Sequence, residues 1–311
     1  IVVLIFGVET AGGIGAVIHN ASELPGYLSM TLSYDVNTGK AAPYSALTIV
    51  STAAWGLGYF GMPHILLRFM AIEDEKKLKL SRRVATIWVV ISLFVAVFIG
   101  VIGYTMSKVG ALEMLTGSNS ETIIVKISAL LSQHGVIFAL LAGVILAGIL
   151  ASTMSTSDSQ LLAASSAVSS DILGAFRKDS SNKNGSMAAA RITLLVISVV
   201  AAFIARNPDS SVFAIVSFAW AGFGAAFGPV VLFSLFWKRT NKWGALAGMV
   251  CGGSMVFIWK YLIRPLGGIW NIYELLPAFL IACAAIVIVS LLTPKPSKEI
   301  EEEFDRVAQM K

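Results

Sequence analysis

Charge is what this sequence has least of. Of its 311 residues only 13% are Asp, Glu, Lys or Arg, against roughly 25% in soluble domains, and 56% are hydrophobic. With a mean hydropathy of +0.79, a water-soluble globular domain is excluded and a polytopic membrane protein expected. Cysteine is scarce too. Cys251 and Cys283 both lie inside apolar runs, which excludes a disulfide framework and a thiolate metal site. There are three histidines and no HExxH, GxSxG or P-loop pattern, and Gly12, Gly13 and Gly15 lack the strand–turn–helix setting of a dinucleotide fingerprint. An intramembrane enzyme would need a nucleophile–base pair or metal ligands. The hydroxyls scattered around Asp158, with no histidine near, supply neither, so the chain is not read as an enzyme. The net charge of +5 could suit nucleic acid, but the basic residues sit in loops between apolar spans and fit membrane orientation better.

What is there is a succession of apolar runs. Ile1 to about Ile18 reads as the end of one span, stopped by glycines. It opens within an apolar run without Met, as the tail of a longer protein would. A polar loop is expected from His19 to Ala42, then spans over Pro43–Phe69, Val84–Met106, Gly135 into the polar run Arg177–Ser186, Met187–Ala205, Ser211–Trp237, Trp243–Leu262 and Ile272–Leu292. Ile123, Ile124, Ile127 and Leu131 suggest a short surface helix. Eight passes put 17 of the 23 basic residues on one side, which that bias marks as cytoplasmic together with the carboxyl terminus.

The stretch Gly143–Leu173 departs from ordinary membrane helix. After an apolar start it fills with hydroxyls and one acid, Asp158, with no proline to end the helix. Ser152, Ser155, Thr156 and Ser159 fall at i, i+3, i+4 and i+7, on one face. Single hydroxyls commonly serve helix–helix packing in membranes. Four on one face beside a carboxylate favour a site for a hard cation such as sodium, because an intramembrane acid is costly and marks function by default. Asp158 and Ser159 are candidates either for an auxiliary ion ligand or for orienting the hydroxyls.

Trp55-Gly56-Leu57-Gly58-Tyr59-Phe60-Gly61-Met62-Pro63-His64 is a second polar centre in the middle of an apolar span. Proline removes a ladder donor and the three glycines weaken helix over the same turns. The expectation is a broken helix whose free backbone, around Gly56, faces a cavity. Trp55 and Tyr59, four apart, would share one face if helix persists there. Ala219–Pro229 is rich in small residues suited to close helix approach, and Trp220 and Phe223 are candidate outer-gate side chains.

Trp55–His64 with Arg68-Phe69-Met70, Met154–Leu162 (MSTSDSQLL), Trp220–Trp237, Asn241–Gly252 and Tyr273–Phe279, in that order, resemble the sodium–solute symporter family. The resemblance implies an all-α polytopic membrane protein, part of a five-plus-five inverted-repeat fold, here with about eight transmembrane helices, one of them discontinuous. It implies a membrane transport domain over 1–292, its amino-terminal part missing, and a cytoplasmic tail over 293–311. It further implies sodium-coupled import of a small amino acid, L-proline first, by alternating access in a bacterial cytoplasmic membrane, with sodium as coupling ion and no organic cofactor. Trp55, Tyr59 and Pro63 match substrate-binding positions, with Gly56 between them. Ser155 and Thr156 match side-chain sodium ligands, and Ser152 a carbonyl ligand. Symport of another small solute is an alternative. So is a symporter-like sensor module, although the tail is expected to carry only a short helix rather than a signalling domain.

Overall fold

The computed structural model describes residues 1–36, 38–172, 183–206 and 211–309. Its helices, in chain order, are α1 (Val2–Thr10), α2 (Ile14–Ser22), α3 (Ala46–Ala53), α4 (Pro63–Met70), α5 (Leu78–Lys108) and α6 (Ile123–Ser132). They continue with α7 (Val136–Ser166), α8 (Lys183–Ile204), α9 (Val212–Phe236), α10 (Lys242–Ile258), α11 (Leu275–Leu292) and α12 (Lys298–Gln309). A hairpin, β1 (Leu32–Asp35) and β2 (Lys40–Pro43), lies between α2 and α3.

Among the described residues six helices are long and apolar enough to cross a membrane: α5, α7, α8, α9, α10 and α11. They correspond to the last six expected spans. The first two expected spans are interrupted. α1 and α2 meet at 73°, across Gly12 and Gly13 at φ +89° and +95°, a region costly for any other residue. The bend carries helix into the expected polar loop, which keeps its first residues, His19–Ser22, in α2 and folds part of the rest as the hairpin. Residues 173–182, within the expected polar end of the fourth span, and 207–210 lie outside the described residues.

The chain forms two compact units. The unit of residues 1–29, 34–41 and 72–212 has its own core, in which Val3, Val17, Ile102, Met106 and Ile127 are buried together. The predicted surface helix is α6, and its position differs from the expectation. Ile127 and Leu131 are fully buried, so the apolar stripe turns inward onto α1 and α5. α7 and α8, by contrast, leave most of their apolar side chains uncovered within the chain.

The unit of residues 30–33, 42–71 and 213–311 packs around Met62, Trp220, Ala225, Val256, Leu275 and Phe279. α10 and α11 are its tightest pair, because Gly244, Gly248 and Gly252, four apart, leave no room for a side chain. A Cβ at Gly248 would lie 2.8 Å from Ile286 Cδ1, and one at Gly252 3.0 Å from Ala282 Cβ. Asn241 begins α10 by accepting from Gly244 N–H at 2.9 Å. Its amide also donates to Thr293 Oγ1 at 2.7 Å and Pro294 O at 2.8 Å, so the same residue ties down the start of the tail. The short tail helix is α12, and Lys238 holds its Asp305 at 2.5 Å.

Candidate functional site

The second apolar run breaks where its glycines and proline require. Ser45 caps α3 by accepting from Thr48 N–H at 3.2 Å. After Ala53 the chain tightens into a 3₁₀ helix over Ala54–Gly61, then extends at Met62 (φ −83°, ψ 112°), and Pro63 opens α4 at its first position. Proline there costs nothing, since the first N–H of a helix has no partner in any case. The run is therefore three short pieces, and Pro63 starts a helix rather than kinking one.

The 3₁₀ winding alters the expected geometry. Trp55 and Tyr59 would be about 40° apart around an α-helix but are about 120° apart at three residues per turn. The residues that eclipse are Trp55, Gly58 and Gly61, and the last two are buried against α9. A Cβ at Gly61 would lie 2.8 Å from Gly224 Cα, and one at Gly224 2.7 Å from Gly58 Cα. Gly61 thus serves close backbone contact, whereas a Cβ at Gly58 would run into the Trp220 indole. Only Gly56 is exposed, with open space where a side chain would go.

Trp55 and Tyr59 nevertheless meet on one ring, that of Trp220. Trp55 stacks on it at 5.5 Å and 14°, while Tyr59 meets it edge-on at 4.8 Å and 85°. Trp220, 9% exposed, donates from its indole N–H to Trp55 O at 3.0 Å, satisfying a carbonyl in the broken segment. That bond fixes Trp220 in place. Phe223, the other expected gate residue, is exposed and stacks on Phe227 at 6.2 Å. Trp55 also stacks on Phe213 at 5.5 Å and Tyr273 at 5.9 Å, so its faces are largely covered. Tyr59, 51% exposed, is the most open aromatic of the broken segment itself. The Tyr273 hydroxyl donates to Ser217 O at 2.6 Å and its backbone N–H to Ser51 Oγ at 2.8 Å. In the sequence Tyr273 stands out only as part of the Tyr273–Phe279 motif, and Ser51 and Ser217 carry no local signal. Their contacts reach across 222 and 56 residues, beyond any local periodicity.

The hydroxyl strip belongs to the other unit. α7 stays helical through Ser166 and continues as a π turn over Ala167–Ile172, as a proline-free run should. Ser152, Ser155, Thr156 and Asp158 are exposed, and Ser159 is half-buried. Thr156 Oγ1 donates to Ser152 O at 3.2 Å and Ser159 Oγ to Ser155 O at 3.1 Å, the i−4 back-bonding open to helical hydroxyls. A hydroxyl that donates in this way keeps its lone pairs, so Thr156 remains able to coordinate a hard cation, and the exposed hydroxyl of the adjacent Ser155 offers a second oxygen. Ser152 O accepts the Thr156 hydrogen bond in this arrangement, and an ion would have to use its second lone pair. Among the described residues no group of three His, Cys, Asp or Glu is placed to hold a metal. The substrate-type residues (Trp55, Gly56, Tyr59, Pro63, Trp220, Phe223) therefore fall in one unit, and the ion-type residues (Ser152, Ser155, Thr156, Asp158, Ser159) in the other.

A family model described as the sodium:solute symporter family matches residues 1–252. The chain is 41% identical over 262 residues to the sodium/proline symporter of Haemophilus influenzae, covering 84% of this chain and 51% of that protein. It is 39% identical over 254 residues to the osmoregulated proline transporter of Bacillus subtilis (82% and 50%), and 39% identical over 259 residues to the sodium/proline symporter of Escherichia coli (83% and 50%). The chain spans about half the length of the curated relatives it matches. No solved structure matches it.

Proposed function

Because this chain belongs to the sodium:solute symporter family, we propose that the whole protein carrying it imports a small amino acid, L-proline first, together with sodium. The observation that carries this reading is the broken segment Ala54–Met62. Its exposed backbone at Gly56 and open Tyr59 ring adjoin a fixed aromatic wall, which suits a small zwitterion with an apolar body and a charged head. Relatives named for proline transport support the same substrate.

In this reading Trp55, Gly56, Tyr59 and Pro63 define the substrate site, and Trp220 is the fixed surface against which Phe223 closes. Sodium binds Ser155 and Thr156 through their hydroxyls and Ser152 through its carbonyl. The uncovered strip on α7 is completed by a segment outside these 311 residues. Asp158 and Ser159 orient the hydroxyls. The fold is part of a five-plus-five inverted repeat, with residues 1–292 in a bacterial cytoplasmic membrane and 293–311 a cytoplasmic tail. One charge crossing 100 mV yields about 2.3 kcal/mol. A tenfold sodium gradient adds about 1.4 kcal/mol, and together these support accumulation of about 500-fold per sodium.

The test is uptake of labelled amino acids by the whole protein in vesicles under an imposed sodium gradient. Sodium-dependent proline uptake is expected, with Tyr59→Ala raising KM before it lowers expression. Uptake that ignores the sodium gradient, or unchanged kinetics in both Tyr59→Ala and Trp55→Ala, would overturn the reading.

A further inference from the structure

Glu274 is the most deeply buried acid among the described residues, with 1% of its side chain exposed. It sits immediately before α11, where a carboxylate is favoured by the helix dipole. Two cations from the connection between α10 and α11 converge on it. Arg264 Nη1 donates to Oε2 at 2.9 Å, and Lys260 Nζ stands 3.9 Å from Oε1. Arg264 also donates from Nε to Asn271 Oδ1 at 3.1 Å, so the segment 264–274 is closed by two bonds. Lys260 Nζ lies 3.9 Å over the Phe218 ring of α9, which carries the cluster across to the neighbour of Ser217.

The next residue back is Tyr273. Its three fastenings go to three different elements: the N–H to Ser51 on α3, the hydroxyl to Ser217 O on α9, and the ring onto Trp55 of the 3₁₀ segment. All three depend on where the chain enters α11. A buried ion pair is a poor source of net stability, since apolar residues of the same volume usually do as well. What it supplies is a single geometry, because a half-broken pair leaves a bare buried charge.

We propose that Glu274, clamped by Arg264 and Lys260, is a positioning residue. It fixes Tyr273, and through it the Trp55 ring of the substrate segment. The effect on substrate affinity rests on the proline reading above, whereas the effect on Tyr273 does not.

The test uses the whole protein and two readouts. The first is proline uptake. Glu274→Gln and the milder Arg264→Ala are expected to raise KM roughly tenfold with kcat within about twofold, and Glu274→Asp to recover part of the loss. Asp305→Asn, which breaks an exposed ion pair in the same unit, should leave KM unchanged. The second needs no transport. In a background lacking other cysteines, the thiol of a Ser51→Cys variant should be alkylated by a permeant maleimide several-fold faster once Glu274→Gln or Arg264→Ala is added. If Glu274→Gln does not fold, Arg264→Ala carries both readouts, since Arg264 is partly exposed and Lys260 still faces the acid. Normal KM and normal alkylation in a folded variant overturn the proposal, as does a fall in kcat and protein yield at constant KM, the sign of a merely structural role. Faster alkylation in a protein that takes up no proline overturns the substrate reading and leaves the positioning role standing.

Discussion

Gly58 and Gly56 are two residues apart in one motif, yet an added methyl should have opposite consequences. A Cβ at Gly58 would lie 2.7 Å from Trp220 Cε2, and closer still to Nε1 and Cδ1. Ordinary van der Waals contact begins at about 3.4 Å, so even at Cε2 the indole must withdraw by about 0.7 Å (3.4 less 2.7). Its bond to Trp55 O is 3.0 Å long, and a withdrawal of that size along the bond takes it to about 3.7 Å, past the useful range. Overpacking of a tight contact costs about 1–3 kcal/mol, and a carbonyl left without its donor adds about 1–3 kcal/mol. The ring has little freedom to absorb the change, because Tyr59 meets it edge-on and Trp55 stacks on it. A Cβ at Gly56 meets nothing within 4 Å, and a helical Gly→Ala change gains up to about 1 kcal/mol. The assay is the fraction of purified whole protein that stays monodisperse after a graded heat challenge, with uptake kinetics alongside. Gly58→Ala should lose thermal stability and raise KM, through displacement of Trp220 and Trp55. Gly56→Ala should keep or gain stability, and any effect it has should fall on KM alone. Equal stability in the two variants would refute the claim that Gly58 exists to admit the indole.

Other expectations address the strip and the loops. Ser155→Ala and Thr156→Ala should raise the sodium concentration needed for half-maximal uptake and weaken substrate affinity at low sodium, with saturating sodium restoring it, since binding free energies couple reciprocally. Thr153→Ala, whose hydroxyl bonds Ile149 O about 200° around the helix from Ser155, should do neither, and normal sodium dependence in both site variants would reduce the strip to packing. Asp158→Asn should slow transport while the charge moved per substrate, counted electrically against flux, stays constant; a changed ratio would make Asp158 a direct ligand. The Lys126 ammonium, hydrogen-bonded to Glu113 at 2.6 Å, holds that carboxyl below the usual carboxylate range. Its folded value lies below its unfolded one, so the pair's contribution is present above about pH 4.5 and fades as pH falls through the depressed value. Thermal stability compared between the parent and Lys126→Met should differ at neutral pH and converge in acid; a gap that widens on acidification would reverse the sign of the argument.

What could be read in the sequence was what backbone chemistry dictates locally. Pro63 and the three glycines announce a break because proline lacks a donor and glycine weakens helix whatever surrounds them, and the break is there. The hydroxyl strip keeps its helix because nothing in Gly143–Ser166 can end one. Long-range partners were not legible. Periodicity made α6 a helix but could not say that Ile127 would meet α1 and α5 rather than a surface. The i+4 spacing of Trp55 and Tyr59 presumed α-helical winding, and the 3₁₀ turn rotated them apart until Trp220 brought them together from 165 residues away. Glu274 gave no signal, since a single acid before a helix is ordinary until its partners 10 and 14 residues upstream fold back onto it. These misses share one physical cause. Each of these side chains takes its role from what covers it, and covering is a property of tertiary packing that no local pattern encodes. The aromatic wall therefore has to be tested through its fastenings, at Glu274, Ser51 and Gly58, as well as through the rings that a ligand would touch.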